Sequence, residues 1–201
     1  MIIGVFGGTF NPPHTGHKKI IEKSFSILKI DKMLVIPAFI PPHKELIDNI
    51  EPSHKINMLN IIFKEMKNLE IVTSEIDRGG VSYTIDTIKS FISIYGNHDY
   101  RIIIGADNFN IIDSWKNIDE LIKLCGFIVF SRTGEILEYE KQSVFLNNKN
   151  KFTVINEFDE PVSSSMIRNY VKNKMYDKAA EFLDREILYY IKKNKIYANN
   201  E

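Results

Sequence analysis

Ile2-Ile3-Gly4-Val5-Phe6-Gly7-Gly8-Thr9-Phe10-Asn11-Pro12-Pro13-His14-Thr15-Gly16-His17 stands at the start of the chain. Ile2–Phe6 is a short apolar run rich in β-favouring residues, and it stops at two glycines. Beyond Pro13, the residues Ile21, Phe25 and Leu28 recur at i, i+4 and i+7, which is one face of a helix. A buried strand that turns through glycine into an amphipathic helix is the first half of a βα unit.

The same alternation continues outward. Met33–Pro37, Leu69–Thr73, Arg101–Gly105 and Phe127–Ser131 read as further strands. One helix is predicted with Leu59, Ile62, Phe63 and Met66 on its inner side. Another is predicted to be capped by Thr84, with Asp86 in its first turn and a core face of Ile85, Ile88, Ile92 and Tyr95. Ala38 to Pro52 is proline-rich and irregular. Strands alternating with helices imply right-handed crossovers. The fold class is therefore α/β, a Rossmann-like, mostly parallel sheet with helices on both faces. The last forty or so residues change character: Ser163–Val171, Tyr176–Leu183 and Asp184–Lys193 read as helices. They predict a small C-terminal helical subdomain, about 163–201, within one domain spanning 1–201. The Asn/Lys-rich stretch Asn147–Lys151 reads as a loop and Glu138–Lys151 as a variable segment.

The 201 residues carry 26 Lys plus Arg against 26 Asp plus Glu, a formal net charge of zero. That balance disfavours a dedicated nucleic-acid or anionic-membrane partner, though not a local basic pocket for a phosphorylated ligand. The longest apolar runs are too short to span a bilayer, and Met1–Gly7 carries no signal-peptide pattern. Cys125 is the one cysteine, which excludes an internal disulfide and fits a reducing cytoplasm.

In an open parallel sheet, ligands sit beyond the carboxyl ends of the strands. The first such loop holds Gly7, Gly8, Thr9 and Phe10, then His14 and His17 three residues apart at a helix start. That spacing puts both imidazoles on one side of a turn, beside free N–H groups and the positive end of the helix. The arrangement suits a phosphate-sized anion. Taken alone, a glycine turn is equally a structural turn. The loop is neither the dinucleotide fingerprint nor a P-loop, and the histidine pair lacks a third partner for a metal. Near the far end, Ser163-Ser164-Ser165-Met166-Ile167-Arg168 opens an apparent helix with hydroxyls, N–H groups and a guanidinium. Spacing alone would make it an ordinary serine cap beside a solvated arginine.

Several strings resemble one family. GGTFNPPHTGH resembles the H-x-G-H motif of the nucleotidylyltransferase superfamily, and Ser163–Arg168 resembles its second motif, S-S/T-x-x-I-R. Ile40-Pro41-Pro42-His43-Lys44 is similar to a loop of bacterial nicotinate-nucleotide adenylyltransferases. Gly79–Thr87 resembles their GPSYTxDT element, with Val81 in place of proline, and Ile103–Asp107 resembles their IIGxD stretch. The strings match in order from Ile3 to about Tyr197.

The resemblance implies adenylyl transfer from ATP to nicotinate mononucleotide, with His14, His17, Lys44 and Arg168 as catalytic residues. It implies ATP contacts from Gly7, Gly8, Thr9, Phe10, His14, His17, Gly105, Asp107, Ser163, Ser164, Ser165, Met166 and Arg168. For the mononucleotide it implies His43, Lys44, Tyr83, Thr84 and Trp115, the last packing on the nicotinate ring near N–H groups that meet its carboxylate. It further implies Mg2+ carried with ATP, no metal held by the protein itself, and neither nucleic acid nor membrane as partner. Self-association is left open. The readings to be separated are a sister enzyme acting on nicotinamide mononucleotide or pantetheine phosphate, an RNA-linked protein of the class I synthetase type, and a non-catalytic nucleotide sensor on the same scaffold. The second lacks a KMSKS string and excess positive charge.

Overall fold

The protein, described from a computed structural model, is seen at residues 1–42, 50–156 and 158–198. Six parallel strands form one sheet in the order β3-β2-β1-β4-β5-β6. They are β1 (Ile2–Gly8), β2 (Lys32–Pro37), β3 (Leu69–Ile71), β4 (Asp99–Gly105), β5 (Cys125–Phe130) and β6 (Phe152–Ile155). The strand order reverses between β1 and β4, so a crevice opens there beyond their carboxyl ends.

The helices are α1 (Thr15–Leu28), α2 (Pro52–Phe63), α3 (Ser74–Arg78), α4 (Thr84–Tyr95), α5 (Ala106–Phe109), α6 (Ile118–Leu124), α7 (Ser143–Asn147), α8 (Ser164–Lys172), α9 (Tyr176–Ala180) and α10 (Arg185–Lys193). Period-two alternation in the strands splits the apolar side chains between two cores. Met33, Val35, Ile103, Ile128 and Phe130 join Ile21, Met58, Leu59, Ile167, Val171, Ile187 and Ile191 on one face. Leu34, Ile36, Ile102, Ile104, Phe127 and Val129 join Ile85, Ile88, Phe91 and Leu121 on the other. The C-terminal helices α8–α10 thus share the core of α1 and α2.

Five expected strands are present with ends shifted by at most two residues; β5, for example, covers Cys125–Phe130. The sixth, Phe152–Ile155, pairs in parallel with β5 at the sheet edge and was not anticipated. Three other readings are corrected. Thr84 is the first residue of α4, not its cap; Tyr83 holds the cap position and no side chain closes it. Met66 lies beyond α2, which ends at Phe63. Within the supposed loop 147–151, Asn147 closes α7 and Lys149–Lys151 forms one 3-10 turn. Among the described residues, no helix is long and apolar enough to cross a membrane.

Candidate active site

β1 delivers Gly7 and Gly8 to the crevice. Neither has a positive φ, so the loop does not use them for a backbone conformation that a side chain would forbid. Space is. A Cβ on Gly7 would meet nothing within 4 Å, because it would project into the crevice, whereas one on Gly8 would sit 2.9–3.1 Å from the Phe10 ring. Phe10 is itself buried and left-handed, with φ 46°, a strained setting for an aromatic residue that the surrounding packing must hold.

His14 occupies the N-cap position of α1 and His17 lies in its first turn; their rings stand 3.8 Å apart, tilted by 32°. The His14 main-chain N–H donates to His17 Nδ1 at 3.2 Å. An imidazole nitrogen that accepts carries no proton, so neutral His17 holds its proton on Nε2 and offers it as a donor. His14 is 4% exposed, and its Nδ1 has no hydrogen-bond partner among the described residues. Burial, aided by the nearby Arg132 guanidinium, pushes its pKa down to about 3, so the ring is neutral at physiological pH. Gly16 explains the residue between them. A Cβ there would lie 2.9 Å from Val162 Cγ1 and 3.1 Å from His14 Nδ1.

The distant serine-arginine segment docks on this loop. Ser164 Oγ donates to the Pro12 carbonyl at 2.8 Å, and Arg168 Nη1 donates to the Asn11 carbonyl at 2.9 Å. Tyr197 OH bonds Asn11 Oδ1 at 2.6 Å. Ser163 Oγ caps α8 by accepting from Met166 N at 3.1 Å.

Two clefts flank the end of β1. The larger, about 650 Å3, brings together Gly7, Gly8, Thr9, Phe10, His14, His17, Gly105, Asp107, Ser163, Ser164, Ser165 and Arg168. Met166 is not on its wall, and its N–H is committed to the cap. Ser164 lies on the wall and directs its hydroxyl at the Pro12 carbonyl, so it also fastens the loop. Sequence reasoning missed two cations on this wall, Lys55 and Arg132. Arg132 stands just past the carboxyl end of β5, a position that was itself a signal.

The second cleft, about 250 Å3, is lined by Tyr83, Thr84, Trp115 and Lys116, with Glu75 and Thr87. Gly7, Gly8, Thr9 and Asp107 belong to both clefts, so the two meet over the end of β1. Loop 38–42 forms a wall held by the Ile40–Val81 bridge and by Phe39 N donating to Ser82 Oγ at 3.1 Å. The main-chain N–H of Trp115 is spent on the Ile112 carbonyl, but its indole Nε1–H is buried with no partner among the described residues. Lys116 places its ammonium 4.3 Å from the Tyr83 ring centre and 3.0 Å from Asp86 Oδ2. His43 and Lys44 lie outside the described residues. Among the described residues, no three His, Cys, Asp or Glu side chains converge as a metal cage.

Residues 5–170 match the cytidylyltransferase-like family. A probable nicotinate-nucleotide adenylyltransferase of Fusobacterium nucleatum is 42% identical over 176 residues, covering 87% of this chain and 89% of that one. A probable enzyme of the same name from Borrelia hermsii is 32% identical over 201 residues, all of both chains. The chain belongs to the nicotinate-nucleotide adenylyltransferase family. In fold, this family member is similar to the nicotinic acid mononucleotide adenylyltransferase of Plasmodium falciparum complexed with NaAD. The TM-score is 0.79 at 20% identity, with 98% of this chain and 97% of that one covered.

Proposed function

We propose that the chain joins ATP to nicotinate mononucleotide, releasing pyrophosphate and forming deamido-NAD. One observation carries the reading. The cleft of His14, His17 and Arg168 and the cleft of Tyr83, Thr84 and Trp115 share the floor Gly7-Gly8-Thr9 and Asp107. ATP takes the first and the mononucleotide the second, which brings the acceptor phosphate to the α-phosphorus. An oxygen of that phosphate forms the new P–O bond in line, and the bond from the α-phosphorus to the bridging oxygen breaks. Pyrophosphate leaves with the electron pair. The nucleophile is already anionic near neutral pH, so no general base is needed. Positioning and charge stabilisation supply the rate. His17 Nε2–H and the Arg168 guanidinium donate to the phosphate oxygens, and the neutral His14 ring contributes a second imidazole without anion-cation overbinding of the product.

Mg2+ would come as a passenger of the nucleotide, because among the described residues no three His, Cys, Asp or Glu side chains converge to hold it. When bound, it neutralises triphosphate charge; His17 and Arg168 orient the phosphates. His43 and Lys44, by their resemblance to the family loop, complete the phosphate contacts.

The acceptor cleft favours an acid over an amide. The unpartnered indole N–H and the Lys116 ammonium both match a carboxylate, whereas a carboxamide brings N–H donors of its own. Mispairing a buried polar group costs ~1–3 kcal/mol. Work in the cytoplasm fits this reading, since that is where ATP is supplied. Pyrophosphate release with ATP and nicotinate mononucleotide, run against its amide and phosphopantetheine, is the test. We expect the acid to be used at least tenfold more efficiently than the amide (about 1.4 kcal/mol). Equal efficiency would defeat the specificity argument, and preference for phosphopantetheine would place the chain with a sister enzyme. ATP binding without pyrophosphate release would make it a sensor.

A further inference from the structure

Lys55 belongs to none of the family motifs, yet it occupies an unusual position. It sits in the first turn of α2 with 2% of its surface exposed. Its side chain lines the cleft of His14, His17 and Arg168. Among the described residues its ammonium meets one acceptor, the Ala38 carbonyl, at 3.5 Å, the outer limit of a hydrogen bond. No carboxylate pairs with it among the described residues. Ala38 is a wall residue of the acceptor cleft, and its N–H donates to the Gly8 carbonyl at 2.9 Å. Lys55 therefore stands at the partition between the two clefts.

A buried ammonium without a counter-charge is costly, and burial alone already lowers the Lys55 pKa. A solvent-facing lysine on the same helix would avoid the cost. No side chain among the described residues offsets it, and an anion entering the cleft would. We propose that Lys55 is a phosphate ligand of this site, its ammonium binding the triphosphate of ATP at the partition between the clefts. This rests on the adenylyl-transfer reading and adds to it a cation that is buried before substrate arrives. The competing role is a strut that holds loop 38–42 through the Ala38 carbonyl.

Lys55→Met separates the two, since it keeps the length of the side chain and removes the charge. We expect its melting temperature without ligand to equal or exceed that of the wild type, because an unpaired buried charge is gone. We expect the rise in melting temperature on adding ATP to shrink and KM for ATP to increase ~10- to 100-fold, the scale of a lost charged hydrogen bond. Lys55→Arg should restore most of that loss. A strut predicts the reverse, a lower melting temperature without ligand and an undiminished response to ATP. An ATP response and KM within about threefold of wild type overturn the proposal. Should Lys55→Met fail to fold, Lys55→Gln retains a donor for Ala38 but no charge and is read the same way. Absence of pyrophosphate release by the wild type with every acceptor would sink the reaction instead, and the ATP-induced shift would still decide on Lys55.

Discussion

His14 and His17 differ in what their ring nitrogens are committed to. The main-chain N–H of His14 fixes the His17 proton on Nε2, so this ring is a donor without a net charge. Removing one well-placed transition-state donor typically costs ~100- to 1,000-fold in rate. His17→Ala should lose kcat on that scale, while His17→Gln, whose amide N–H reaches towards the Nε2 position, should lose less. Steady-state kinetics of the two variants check this, and equal rates would remove the donor from His17. His14 makes a statement about pH. Its folded pKa, about 3, lies below the ordinary 6.5, so the unfolded chain binds more protons between those values. The stability contributed by the neutral ring is present above about pH 6.5 and is lost as pH falls towards 3. The slope approaches one proton, about 1.4 kcal/mol per pH unit. Urea titrations from pH 7 to pH 4 should show that slope reduced in His14→Gln relative to the wild type. At this scale the motif residues were readable from their strings, but Lys55 was not. One lysine in a helix reads as solvent-facing, and only the packing of α2 under loop 38–42 buries it.

Among the elements, β1 and α1 carry the glycines, and the two that matter act for opposite reasons. Gly16 is crowded by Val162 and His14, whereas Gly7 faces unfilled space. Gly16→Ala should therefore destabilise the protein by ~1–3 kcal/mol through overpacking and push α8 away from the loop. Gly7→Ala should leave stability within about 0.5 kcal/mol and raise KM, because its methyl group occupies substrate space. Thermal melts beside kinetics test the pair; a Gly7→Ala variant with wild-type KM would contradict the assignment of the cleft. Strands β1, β2, β4 and β5 were legible because each is a buried apolar run between turn signals. The four residues Phe152-Thr153-Val154-Ile155 have strand composition but sit beside an Asn/Lys-rich stretch, and the pairing with β5 is a tertiary fact. The five-residue α3 is too short to show a helical stripe.

At the scale of the molecule, residues from opposite ends of the chain make one site at the crevice between β1 and β4. Ser164, Arg168 and Tyr197 all fasten to Asn11 or Pro12. Strand order, which the sequence does not encode locally, puts the cleft of Tyr83, Thr84 and Trp115 beside the cleft of His14, His17 and Arg168. The alternation of strands and helices made the sheet readable, but not the meeting of the two clefts over Gly7-Gly8-Thr9. The claim on which the mechanism depends is that the imidazole pair and the guanidinium act on one triphosphate. A crystal structure of the protein with a non-hydrolysable ATP analogue measures this directly. The account predicts phosphate oxygens within about 3.2 Å of both His17 Nε2 and an Arg168 guanidinium nitrogen. A triphosphate held by one of these residues and remote from the other would contradict it.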